Sequence, residues 1–168
     1  MFRKLQRRFQ SMRTLSRLCT DAEAHARLRG QAAPGAEHFL LAAIDLPEGS
    51  ARRAFESVGA DPSALGEAIE RQYREALQAA GVQAPLPQAA ALQAPAAASL
   101  YRARPSGQEL VQALARSSKK QAGPLLGAHV VAAVAAMPQG VAARTLRALG
   151  VDAPRLVAAA RAQVPSAD

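Results

Sequence analysis

The sequence predicts an all-α fold: two repeated runs of helices joined by a Pro/Ala-rich linker. Three observations predict it. About a quarter of the 168 residues are alanine, the strongest helix former. No window shows sustained apolar/polar alternation bounded by turn residues, so no strand is expected. The chain also repeats itself without a gap at an offset of 91 residues, which carries His38 to His129, Pro47 to Pro138, Gly49 to Gly140, Phe55 to Leu146, Gly59 to Gly150, Asp61 to Asp152 and Leu65 to Leu156.

The elements follow in order. Residues about 11–29 read as a helix that Gly30 ends, and Pro34-Gly35 as a turn. Residues about 36–45 form a short apolar helix with Phe39, Leu40, Ala43 and Ile44 facing inward. Pro47-Glu48-Gly49 breaks the chain. A helix then runs from about Ser50, a plausible N-cap, to Val58, and Gly59 suits the left-handed position that closes it. Asp61-Pro62 reads as an N-cap followed by proline in the first helical turn, opening a helix to about Ala80. The second half repeats this scheme. Ser106 opens a helix with Leu110, Val111 and Leu114 on one face, Gly123-Pro124 turns, and Gly127 to about Met137 is the apolar helix. Pro138-Gln139-Gly140 breaks, a helix runs to Leu149, Gly150 stops it, and Asp152 caps a last helix to about Gln163. The domain plan is a basic extension over 1–10, repeats over 11–80 and 106–163, a linker over 81–105 and a frayed tail over 164–168. The linker holds Pro85, Pro87, Pro95 and Pro105, with a short helical piece near 88–93.

Charge is unevenly placed. The net charge is +8, and residues 1–20 supply six basic side chains (Arg3, Lys4, Arg7, Arg8, Arg13, Arg17) and no acid. From Asp21 onward 15 basic residues face 13 acidic ones. Phe2, Leu5, Phe9 and Met12 share one helical face of the basic segment. Three readings fit: the start of the first helix, a surface for nucleic acid, anionic membrane or an acidic partner, and a targeting peptide. The patch Arg3, Lys4, Arg7 and Arg8 would carry the anionic contact. No stretch reaches the ~18 apolar residues of a membrane span, and no secretory signal is visible, so the expected location is the cytoplasm. The absence of Trp and the 4% aromatic content disfavour base-stacking RNA platforms.

Gly35-Ala36-Glu37-His38-Phe39-Leu40-Leu41, with Gly59-Ala60-Asp61 and Gly150-Val151-Asp152, resembles the N-terminal Clp repeat domain of Clp-type ATPase unfoldases. In that family each repeat carries a Gly-Thr-Glu-His-Leu-Leu-Leu-like segment and a later Gly-Val-Asp-like turn, and the resemblance covers about residues 11–163. It implies a pseudo-twofold bundle of two four-helix repeats, and a module that engages client proteins, a Clp unfoldase or both and so modulates proteolysis or disaggregation, without cofactor or nucleotide. The chain has no Gly-Lys dipeptide and hence no phosphate-binding loop. Some family members bind phosphorylated arginine through the repeat glutamates. Glu37 matches the first such position, and Ala128 stands at the second. Peptide contacts are expected at Glu37, His38, Thr14, Ser106 and His129.

Beside this stand the plainer readings of the same residues. Glu37 is either a surface acceptor for cationic peptides or a first-turn acid favoured by its own helix dipole. His38 and His129 would pack and hydrogen-bond between helices. Cys19 has no base on its own face, since His25 lies six residues on, and reads as structural. Arg52, Arg53, Arg144 and Arg147 read as solvated helix faces or as a partner surface. No nucleophile, base and orienting group can be assembled, so an enzyme is not expected.

Overall fold

The computed structural model describes residues 2–81, 103–118 and 123–165, and their side chains from residue 5 onward except that of Ser118. These residues form eight α-helices and no strand: α1 Phe2–Leu28, α2 Ala36–Ile44, α3 Ser50–Ser57, α4 Leu65–Ala79, α5 Pro105–Ser118, α6 Gly127–Ala135, α7 Val141–Ala148 and α8 Ala153–Ala162. A 3-10 turn over Pro62–Ala64 precedes α4. The helical piece expected near 88–93 lies outside the described residues.

α2 has no polar face, so it must be enclosed on all sides. All nine of its residues are buried. The bounds of α2 and α3 return in α6 and α7 with the same 91-residue offset. α1 and α6 both pack on α2, and Leu18, Ala22 and Ala26 of α1, four residues apart, are all buried. The outer helices cross between halves: α3 packs on α8, and α4 on α7. The halves therefore share one core, with Phe39, Phe55, Leu65 and Ile69 from the first and Leu110, Val130, Leu146 and Leu156 from the second.

The glycine stops behave as their sequence context requires. Gly59 and Gly150 sit at φ 75° and 68°. Behind them Ala60 N–H donates to Phe55 O at 3.0 Å and Val151 N–H to Leu146 O at 2.9 Å, satisfying carbonyls the helix leaves open. Asp61 accepts from Ser63 N–H, and Asp152 from Arg155 N–H, both at 2.8 Å.

Several boundaries differ from the sequence expectation. α1 begins at Phe2 rather than near residue 11, because no Gly or Pro interrupts the chain before Gly30. Ser50 is the first residue inside α3, and Gly49, at φ 71°, holds the N-cap. The Ser50 hydroxyl is buried and serves another helix instead. α5 starts at Pro105, which places Ser106 within its first turn.

Candidate functional site

α2 begins beneath a cluster of polar groups that its own sequence cannot complete. His38 Nδ1 accepts a hydrogen bond from Gly35 N–H at 3.0 Å, so the imidazole closes the helix that carries it. The ring is fully buried, and desolvation, with positive charge from Arg29, Arg104 and His25, lowers its pKa to about 3. His38 is thus neutral with its proton on Nε2. The 3.4 Å approach of Nδ1 to Glu37 Oε1 is therefore not an ion pair.

Glu37 is 2% exposed. The expectation of a surface acceptor fails because α2 is central, so even its first turn lies inside. Its carboxylate folds back over Gly35, where a Cβ would lie 2.6 Å from Oε1. Tyr73 Oη, from α4, donates to Glu37 Oε1. Arg104, just before α5, donates from Nη1 to Tyr73 Oη at 3.0 Å and from Nη2 to Gln31 Oε1 at 2.8 Å, and it lies 4.0 Å from the Glu37 carboxylate. Burial, together with the Glu37 charge, raises the Tyr73 pKa, which keeps the phenol a donor. Ser106 Oγ accepts from Ala36 N–H at 3.2 Å. Tyr73 and Arg104 thus provide Glu37 Oε1 with a donor and a nearby positive charge from within the chain.

α6 begins differently. His129 Nδ1 accepts from Leu126 N–H at 3.0 Å, repeating the His38 cap, and burial again lowers the imidazole pKa. Where the first half has Glu37, the second has Ala128, and the offset also replaces Tyr73 by Val164. The carboxylate at this helix start comes from the other half. Glu48 Oε1 accepts from Gly127 N–H at 2.6 Å, and Ser50 Oγ accepts from Ala128 N–H at 2.9 Å.

At the far end of α6 the two halves also differ. In the first half Arg52 donates from Nε to Ile44 O at 3.0 Å and lies 3.9 Å from Asp45, so its guanidinium lies across the end of α2. Ninety-one residues on, Arg52, Asp45 and Phe55 become Ala143, Ala136 and Leu146. A cavity of 370 Å³ opens there, lined by Met137, Pro138, Ala143, Leu146 and Val151, with Arg147 and Asp152 as its charged members. Arg147 donates to Pro138 O at 3.3 Å.

The structure thus brings Glu37, His38 and Ser106 to one helix start and places His129 at another. Both histidines cap their own helices rather than bonding between helices, because an imidazole at the third helical position reaches back to the free N–H. Thr14 lies half-buried on α1 and does not hydrogen-bond to the Glu37 cluster. Arg7 and Arg8 are exposed on α1, whereas the side chains of Arg3 and Lys4 are outside the described set. Sequence reasoning missed Tyr73, Arg104 and Glu48, which are joined to their partners only by the fold. It also missed the cavity, although the change from Arg52 to Ala143 within the repeat signals it. Cys19 is half-buried. Among the described residues no three His, Cys, Asp or Glu side chains cluster as metal ligands would.

The family profile described as Clp repeat (R) N-terminal domain matches residues 13–113, from α1 into α5. A comparison with curated proteins gives no match.

Proposed function

Since the chain belongs to the Clp repeat N-terminal domain family, we propose that it is a non-catalytic module that binds segments of other proteins. The partner is a client or a Clp-type ATPase unfoldase in the cytoplasm, and binding modulates proteolysis or disaggregation. In this reading the two halves are four-helix repeats related by a pseudo-twofold axis.

The observation that carries the reading is the apolar cavity between α6, α7 and the start of α8. It has room for one large apolar side chain, whose burial contributes about 1.5–3 kcal/mol. One such anchor gives weak, reversible capture, suited to a recruiting module. Arg147 and Asp152 both border it, one charge of each sign, so the apolar side chain rather than a neighbouring charge is what is recognised. Glu37, His38, Ser106 and His129 enter as residues that position α2 and α6. With Glu37 buried against Tyr73 and Arg104, and Ala128 in the second position, the ligand in this reading is an apolar side chain rather than a phosphorylated arginine.

The test rebuilds the first half's cover over the cavity. The double variant Ala136→Asp/Ala143→Arg copies Asp45 and Arg52. Binding of peptides carrying an exposed Leu, Met or Phe, and of a purified Clp unfoldase, is measured by fluorescence anisotropy for both proteins. Loss of binding with unchanged helical circular dichroism supports the reading. Equal binding by both proteins, or by neither, sinks it.

A further inference from the structure

We propose that the first third of α1 lies on anionic lipid surfaces, with Leu5, Phe9 and Met12 inserted into the interface and arginines engaging the headgroups. These three are 56%, 60% and 67% exposed, the most exposed large apolar side chains described apart from Leu28. They follow helical spacing and form one stripe, about 10 Å long at 1.5 Å per residue. The stripe is not an extension of the core face. On a 100° wheel it lies about 100° around the helix from the line of Leu18, Ala22 and Ala26 that packs on α2. Ser11, between Phe9 and Met12, points the other way and accepts from Leu125 N–H at 3.1 Å, which fixes the rotation of the helix and leaves the stripe outward.

Charge selects the occupant. Arg8 and Arg13 flank the stripe on its two sides, Arg7 lies behind it, all three are exposed, and the segment 1–20 has no acid. An apolar strip bordered by arginines on an otherwise polar helix is the pattern of a helix lying in a membrane interface, where apolar burial and attraction to anionic headgroups add. No described helix is long and apolar enough to cross a membrane, so the helix would lie on the surface rather than span it. A second copy would bring two acid-free basic segments together, and a nucleic acid would leave the apolar stripe in water.

The chain has no tryptophan, so Phe9→Trp in the full-length protein creates a single reporter. Its emission is recorded with vesicles of phosphatidylcholine alone and with phosphatidylglycerol added, at low and high salt. The expected result is a blue shift on the anionic vesicles only, weakened by salt. Adding Met12→Glu, at an exposed position that leaves the helical circular dichroism unchanged, should reduce partitioning on the order of tenfold. No shift on anionic vesicles, or an equal shift on neutral ones, overturns the proposal. So does a shift that grows with protein concentration in plain buffer, which would indicate self-association. A response to an oligonucleotide in place of anionic vesicles would overturn it in favour of nucleic acid.

Discussion

Glu48 Oε1 accepts a hydrogen bond from Gly127 N–H at 2.6 Å, so a carboxylate from the loop after α2 closes the start of α6, 79 residues away. The other oxygen, Oε2, accepts from Ser50 N–H at 2.7 Å at the start of α3. One side chain thereby satisfies free N–H groups on two helices, and its negative charge sits at the positive end of both.

Replacing Glu48 by Ala leaves both part-buried N–H groups without this acceptor. The expected loss is about 1–2 kcal/mol, read as a lower urea midpoint. Glu48→Gln keeps one acceptor oxygen and should lose less. An unchanged midpoint for Glu48→Ala would remove Glu48 from the account of how the halves are joined.

His38 should make the fold sensitive to acid. Its folded pKa is lowered to about 3 from an ordinary 6.5. Between those values the unfolded chain binds a proton that the folded chain does not. Stability therefore falls as pH drops from 6.5 towards 3, by up to ~1.4 kcal/mol per pH unit. Burial of His129 acts in the same direction. His38→Gln keeps an acceptor for Gly35 N–H and has no titrating group. Urea midpoints at about pH 7.5 and about pH 5 should differ less for the variant than for the parent. Equal differences would mean that His38 is not buried as a neutral ring.

Tyr73 supplies the hydrogen bond that Glu37 needs inside the protein. Tyr73→Phe keeps the ring, which lies 6.2 Å from the His38 ring between centroids, and removes only the donor. The cost should be about 1–3 kcal/mol, because a buried carboxylate loses its partner while Arg104 remains. Combining it with Glu37→Gln should cost less than the sum of the two single changes. Strict additivity, measured by urea unfolding of the four proteins, would show that the two residues do not interact.

The parts of this fold that were legible in the sequence are those whose partners lie nearby along the chain. Asp61 and Asp152 cap N–H groups two and three residues on, and Gly59 and Gly150 close helices they immediately follow. The bounds of α2 and α6 were legible because turns flank short apolar runs. Of the two readings of Glu37, the first-turn acid agrees with its place in α2 and the surface acceptor does not, because first-turn acids usually face water and only the enclosure of α2 by its neighbours buries this one. Ser50 has the chemistry of an N-cap, yet its hydroxyl serves Ala128 in the other half. Nothing local in the sequence chooses between those uses. The cavity stands between these cases: Ala143 in place of Arg52 was readable from the repeat, but the position of Arg52 over Ile44 was not.

Gly127 gives the sharpest test of how closely α2 and α6 approach. In a solvated helix interior Gly→Ala is expected to stabilise by about 1 kcal/mol. A Cβ on Gly127 would lie 2.9 Å from Ala43 O, 3.0 Å from Ala51 Cβ and 3.1 Å from Glu48 Oε1. Two of those atoms belong to packed helices that cannot swing away, and the third is the carboxylate that caps α6. Gly127→Ala should therefore destabilise, by about 1–3 kcal/mol. Gly66 in α4 is the control. Its added Cβ would meet only Arg29 Nη2 at 3.0 Å, the end of a side chain rather than packed backbone. Gly66→Ala should thus be neutral or stabilising. Urea midpoints of the two variants should shift in opposite directions, or Gly127→Ala alone should fall. If Gly127→Ala gains stability as an ordinary helical glycine would, the close contact between α2 and α6 is wrong, and with it the reach of Glu48 to Gly127.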